Sequence, residues 1–267
     1  MPVAAVSRDA VSYDFEKHLK IKAEPTAPRT DALTPKDALA RGLDACPADR
    51  EPVVLYGCGA LCPVHVEHVA NMERARDHAE GLGHRVVGGF LATSNDLYTR
   101  KKYKEQGRLD DGFLPHARRC DLIRAALEGH AYLRLDAWDG EPQAAFVEFW
   151  AAQASLAEHL DAWCDATGRR RVTVVGVHGS DLANKCCIGR MFQRLGLRCC
   201  VVQRPGAPLA DRGERSNIWV LPASRDISST DVQRLLREGT PEADAALADA
   251  LHPRVARRLR DLARAPD

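Results

Sequence analysis

Short apolar runs alternate along this chain with helix-length stretches, and that alternation restricts the fold more than any other feature of the sequence. The runs are Val53 to Tyr56, Arg85 to Leu91, Tyr132 to Leu135, Val172 to Val177, Cys199 to Val202 and Ile218 to Leu221. Each is short, apolar and bounded by turn-forming residues, as a buried strand is. Helical periodicity fills the stretches between them, over about 65–81, 115–128, 143–167 and 188–195, and the chain beyond 221 reads as helical. The alternation predicts an α/β fold, a Rossmann-like doubly wound parallel sheet with helices on both faces. Sheets of that kind bind ligands beyond the carboxyl ends of their strands, where the strand order reverses.

Residues 1–51 do not share the pattern. They hold several prolines and few periodic apolar residues, and read as an N-terminal extension of a main domain spanning 52–267. A short helix is expected there, capped by Thr34 with Pro35 as its first residue. A formal net charge of +1 supplies no global field toward nucleic acid or a membrane surface, so neither is expected as a partner. No apolar run approaches the ~20 residues that span a bilayer, and the start of the chain lacks a signal-peptide pattern, so a cytoplasmic location is expected. The nine cysteines are odd in number and form no CxxC pair, which reads as free, mostly buried thiols. A homo-oligomer is left open.

The most informative segment runs from Gly57 through Cys58, Gly59, Ala60, Leu61, Cys62, Pro63 and Val64 to His65, Val66, Glu67 and His68. A strand ends in glycines that let backbone approach a ligand. A helix then opens with two histidines three residues apart, on one face. Free N–H groups at a helix start favour anions, and imidazoles there can donate to phosphate oxygens. Taken alone, the pair also fits two ordinary helix residues beside a turn. It is not an HExxH zinc motif, and no Walker A lysine follows. A second segment, Ile227-Ser228-Ser229-Thr230, places hydroxyls at another helix start, with Arg234 and Arg237 in its first turns. Alone it reads as a plain N-cap or as an anion site.

Together, the Gly-x-x-x-Pro-x-His-x-x-His layout after the first strand and Ile-Ser-Ser-Thr near the end resemble the HxGH nucleotidyltransferase superfamily. Within it the chain is similar to the nicotinamide mononucleotide adenylyltransferase family over about residues 52–262. Gly88 to Leu91, Asp96-Leu97-Tyr98, Leu135 to Trp138, Gly179 to Leu182 and Arg215 to Ile218 fall in the family's order. The resemblance implies an enzyme that transfers a nucleoside monophosphate from a triphosphate to a small anionic acceptor and releases pyrophosphate. It implies that His65 and His68 stabilise the transition state, with Arg234 a third catalytic group. Nucleotide contacts fall to Gly59, Ala60 and Leu61, to Gly179 and Asp181, to Asn217 and Ile218 beside the base, and to Ser228, Ser229 and Thr230 on the outer phosphates. The cofactor implied is Mg2+, carried by phosphate oxygens and water rather than by a protein metal site.

The sequence departs from the family at Glu67, a carboxylate between the histidines, and at Gln233, where the family's motif has arginine. The family's first loop is replaced by Ala60-Leu61-Cys62. Only Trp138 matches the tryptophans that stack on nicotinamide, since no aromatic follows Asp181-Leu182. Tyr98, Arg100, Arg119, Trp138 and Lys185 are the expected acceptor contacts. Cations in place of stacked rings suit a compact, doubly anionic acceptor. Relatives within the family that cap a small phosphonate with CMP fit that pattern, so what the resemblance implies is CTP and a small phosphonate such as phosphonoformate. ATP with nicotinamide or nicotinate mononucleotide is the alternative, and a non-catalytic nucleotide-binding module a third reading.

Overall fold

The structure is a computed structural model that describes residues 27–108, 112–140, 143, 146–186, 188–210, 217–222 and 225–264. Its centre is a six-stranded sheet in the order β3-β2-β1-β4-β5-β6, every pair parallel. The strands are β1 (Pro52–Gly59), β2 (Arg85–Thr93), β3 (Leu133–Asp136), β4 (Thr173–Gly179), β5 (Arg198–Val202) and β6 (Ile218–Leu221). All six expected strands are present, and the order reverses between β1 and β4, which makes their carboxyl ends the switch-point crevice.

Side chains on β1 alternate between two cores, as the two-residue period of a strand dictates. Val53 and Leu55 face one layer, with Met72, Ala75 and Ala79 of α2 (Val66–Gly81), Leu122 and Ile123 of α4 (His116–Leu127), and Val255 of α10 (Pro253–Arg264). Val54 and Tyr56 face the other, with Leu39 and Leu43 of α1 (Asp37–Asp44) and Ala152, Leu156 and Leu160 of α5 (Phe149–Thr167). A smaller cluster covers β5, where Ile188, Met191 and Phe192 of α7 (Ile188–Leu195) pack on Cys199 and Val201. A side chain at Gly57 would meet the Met72 sulfur at 2.8 Å, so the absence of one lets α2 close on β1. Among the described residues no helix is long and apolar enough to cross a membrane, and the eight described cysteines are free thiols, six of them buried.

Three local expectations change. The helix expected from Gln143 begins at Phe149. A helix not read from the sequence, α3 (Asp96–Glu105), follows β2; its charged segment carries no apolar stripe, but Asn95 caps it by accepting from the Tyr98 N–H at 3.1 Å. Thr34 does not cap α1, which starts at Asp37 after Lys36. Thr34 is instead buried, donating to Asp136 Oδ1 at 2.8 Å.

That contact belongs to a buried network that binds residues 27–51 to the domain. The Arg29 guanidinium pairs with Asp136 at 2.6 Å, donates to the Ala152 carbonyl at 2.9 Å and lies 4.0 Å from the centre of the Trp138 ring. Both charges of the pair are almost wholly removed from water, and Gly42 of α1 sits so close to β2 that a Cβ would fall 1.9 Å from the Val87 carbonyl oxygen. Removing one partner of a buried pair strands the other charge, at a cost of about 3–5 kcal/mol. Arg29→Ala is therefore expected to lower unfolding stability by about 3 kcal/mol, read from urea denaturation midpoints. An unchanged midpoint would show that the pair contributes nothing.

Candidate active site

The β1–α2 junction is built from both sides. Gly59 ends the strand, Leu61 is held at φ 42 with its side chain buried, and His65 is the residue from which α2 begins. Arg119, fully buried on α4, donates from Nη1 to the Ala60 carbonyl at 2.9 Å, to the Ser94 carbonyl at 2.7 Å and to Thr93 Oγ1. Its Nε donates to the Leu114 carbonyl at 2.9 Å and its Nη2 pairs with Asp96 at 2.7 Å. Arg119 was expected to reach the acceptor; instead its donors are spent inside the protein, where they shape the turn.

The two imidazoles lie 3.7 Å apart between ring centres. The His65 backbone N–H donates to His68 Nδ1 at 3.1 Å, which fixes the His68 proton on Nε2 and leaves that N–H to meet an anion. His65 is 7% exposed, and its Nδ1 has no hydrogen-bond partner among the described residues. Burial first, then the positive charge of Arg204, holds the His65 pKa down at about 4, with Asp231 opposing. Burial also pushes His68 well below its ordinary value, and His65, Arg204 and Lys102 add to the effect. Both rings are thus neutral near pH 7. Glu67 does not oppose an anion here, because it is buried on α2 and paired with Arg74 at 2.7 Å.

Facing this turn is the start of α8 (Ser229–Glu238). Ser228 caps it, accepting from the Asp231 N–H at 3.1 Å, while Asp231 returns a bond to the Ser228 N–H at 3.0 Å. Ser229 Oγ donates to the Pro63 carbonyl at 2.9 Å, so the hydroxyl-rich helix start packs directly beside the histidine turn. Thr230 Oγ1 accepts from Arg108 Nη1 at 3.0 Å. Gly179 precedes α6 (Ser180–Lys185), and Asp181 in its first turn lies 3.8 Å from Arg204 Nη1. Arg204 also reaches Asp226 at 3.5 Å and the Ile227 carbonyl at 3.4 Å, bridging the β4 end to the α8 start.

Other expected residues lie elsewhere. Arg234 pairs with Glu238 one turn along α8 at 2.5 Å, because successive helix residues diverge by about 100° and the inward position goes to Gln233. Asn217 and Ile218 stand at the amino end of β6, a strand's length from the crevice, where Asn217 Nδ2 donates to the Leu197 carbonyl at 3.0 Å. They do not border a base bound at the carboxyl ends. Arg215 and Ser216 of the same motif lie outside the described residues. Trp138 is fully buried with its Nε1–H on the Ala27 carbonyl at 3.0 Å, so its ring is a core element beneath Arg29 and no platform for an acceptor. Tyr98 stacks on Phe146 at 4.7 Å, and Arg100 lies over Phe113 at 4.3 Å. Lys185 ends α6 near Lys102, whose proton affinity it helps lower. Sequence reasoning missed Arg204, Arg108 and Lys102. For Arg204 the signal was present, since it follows β5 at the same sheet edge that the glycine turn occupies.

Six parallel strands with helices on both faces, and a histidine turn beside a hydroxyl-capped helix start, place the chain in the class of Rossmann-like α/β proteins. Within that class, its sequence is similar to the mononucleotide adenylyltransferases. It is 25% identical over 108 residues to the nicotinamide/nicotinic acid mononucleotide adenylyltransferase 2 of Xenopus tropicalis, covering 40% of this chain and 30% of that protein. It is 30% identical over 88 residues to a nicotinamide-nucleotide adenylyltransferase of Drosophila melanogaster, 33% of this chain and 20% of that one. It is 29% identical over 90 residues to a nicotinamide/nicotinic acid mononucleotide adenylyltransferase of Oryza sativa, 34% of this chain and 32% of that one. The matched segments thus span about a third or less of these relatives. No family profile matches the chain. The Plasmodium falciparum nicotinic acid mononucleotide adenylyltransferase, in its complex with APC, superposes with a TM-score of 0.52 at 11% identity, over 80% of this chain and 97% of that one. Its complex with NaAD gives 0.51 at 12%. The relatives correct the expectation of CTP and a phosphonate acceptor: their names are those of mononucleotide adenylyltransferases, which favours the alternative.

The depressed imidazoles carry a pH signature. A histidine whose folded pKa lies below its unfolded value of about 6.5 binds fewer protons in the folded state between the two. Stability is then fully present above pH 6.5 and falls as pH drops toward 4. His65 accounts for roughly 3 kcal/mol of that loss, and His178, buried on β4 with a pKa of about 4, shares the window. Urea midpoints between pH 7 and 4 should show this slope, and His65→Asn should flatten it in part. A wild-type midpoint constant over that range would refute the neutral, buried imidazole.

Proposed function

We propose that the chain transfers the adenylyl group of ATP to nicotinamide or nicotinate mononucleotide and releases pyrophosphate. The observation that carries this reading is the His65–His68 pair at the turn after β1, against which the α8 start packs through Ser229 and Pro63. The relatives' names supply the base and the acceptor. In the reaction an oxygen of the mononucleotide phosphate attacks the α-phosphorus of ATP. A new P–O bond forms, the bond to the α–β bridging oxygen breaks, and pyrophosphate leaves with the electron pair. Negative charge gathers on the bridging oxygen and its neighbours, where preorganised donors lower the barrier most.

The His68 Nε2–H is one such donor. Bound polyphosphate would also raise both imidazole pKa values, since an opposite charge nearby favours the protonated form. The free N–H groups of α8, the Thr230 hydroxyl and the guanidinium of Arg204 would hold the β- and γ-phosphates. Among the described residues no cluster of three His, Cys, Asp or Glu side chains could cage a metal. Mg2+ fits this site as an ion carried on phosphate oxygens and water, with Asp181 available to its outer shell, and it would neutralise charge on the triphosphate. For the acceptor, the stacked Tyr98–Phe146 pair offers an aromatic surface, and Arg100 and Lys185 offer charge for its phosphate.

The test is pyrophosphate release by the full chain with ATP, Mg2+ and either mononucleotide. Turnover with at least one of them is expected, and His68→Ala should lower kcat by more than about a hundredfold. A His68→Ala enzyme of near-normal rate, or ATP bound without turnover of either acceptor, would overturn the reading.

A further inference from the structure

The cation that α8 lacks at its inward position is supplied from a different element. Gln233 faces inward from the first turns of α8 and is 4% exposed. Its Nε2 donates to the Cys62 carbonyl at 3.0 Å, to the Gly112 carbonyl at 2.8 Å and to the Tyr103 hydroxyl at 2.5 Å. All of its donor capacity is therefore turned toward the histidine turn, Tyr103 of α3 and Gly112. Its remaining acceptor, Oε1, takes a bond from Arg108 Nη2. The other end of the same guanidinium donates to Thr230 Oγ1 at 3.0 Å, and its plane lies 5.5 Å from the centre of the Tyr103 ring. Gly112, at φ 86, closes on the Gln233 side chain so tightly that a Cβ there would fall 3.2 Å from it.

Arg108 is thus fixed at three points beside the first turn of α8 without a carboxylate partner among the described residues. Neutral anchors orient a guanidinium without cancelling its charge. The same corner holds Lys102, whose positive charge bears on His68, and the buried His65 with its unpartnered Nδ1. From this geometry we infer that Arg108 grips the outer phosphates of the triphosphate alongside Arg204, and that Gln233 is its positioning residue. The inference rests on the triphosphate reading above and is independent of which acceptor is used.

The experiment measures binding of inorganic tripolyphosphate, ATP and AMP to the full chain by calorimetry, with Mg2+ present. AMP lacks the phosphates that Arg108 would hold. Arg108→Ala should weaken tripolyphosphate and ATP by about tenfold or more and AMP by less than about twofold, in keeping with loss of charge-assisted hydrogen bonds. Arg108→Lys should recover only part, because a point charge cannot span two oxygens. Gln233→Leu should reproduce the selective loss, and Arg108→Ala with Gln233→Leu should be no weaker than Arg108→Ala alone, since the two act as one unit. Circular dichroism checks the fold of each, and Arg108→Gln replaces any variant that unfolds.

Equal weakening of AMP and ATP, or unchanged tripolyphosphate binding in Arg108→Ala, would overturn the inference and leave the reaction standing. A wild-type chain that binds neither ATP nor tripolyphosphate would overturn both. Selective loss in a chain that turns over neither mononucleotide would uphold Arg108 and sink only the acceptor assignment.

Discussion

Everything at the crevice depends on how the turn after β1 is held. That turn exposes backbone carbonyls that neither the strand nor α2 can satisfy, and such groups are costly when buried without partners. Arg119 meets the Ala60 carbonyl from within the protein, together with the Ser94 carbonyl of the neighbouring strand end. Gln233 and Tyr103 both meet the Cys62 carbonyl, and Ser229 meets that of Pro63. The turn is therefore fixed by side chains from α4, α3 and α8, and the imidazoles that follow inherit its position.

The same division of labour explains the residues that moved out of the site. Arg119 and Trp138 carry the types of group an anionic aromatic acceptor needs, yet both are wholly buried. Arg119 serves the turn, while Trp138 lies under Arg29, in a network that ties residues 27–51 to β3 and α5. What remains at the open edge is Tyr98 on Phe146 and a set of cations, Lys102, Arg108, Lys185 and Arg204, with the carboxylates of Asp181 and Asp226 beside Arg204. The two imidazoles are kept neutral by burial and by the nearby charges of Arg204 and Lys102, so charge on the protein side awaits the charge of a ligand. Such a site has most to gain where negative charge accumulates.

Several features were legible in the sequence because they depend on local pattern. The six apolar runs became the six strands, and their alternation with helices set a parallel sheet. His65 and His68 were legible because a three-residue spacing at a helix start puts them on one face whatever else packs nearby. A hydroxyl cap at the start of α8 was equally plain, and the structure closes it within four residues through Ser228 and Asp231. The start of α3 was less so: Asn95 caps it, but its charged sequence has no apolar face to announce it, and burial of Thr99 and Tyr103 supplies one only after folding.

The sequence by itself determined the alternating architecture and the two anion-favouring helix starts, because strand period, helix period and capping act between near neighbours. Only the tertiary structure decided which charged and aromatic side chains face the crevice. A buried arginine and an exposed one read alike in a string of residues. Their roles separate when distant carbonyls and carboxylates, such as Ala60, Asp96 and Asp136, come within hydrogen-bond reach and claim the guanidinium for the core. Where the anchors among the described residues are neutral, as at Arg108, the charge stays available.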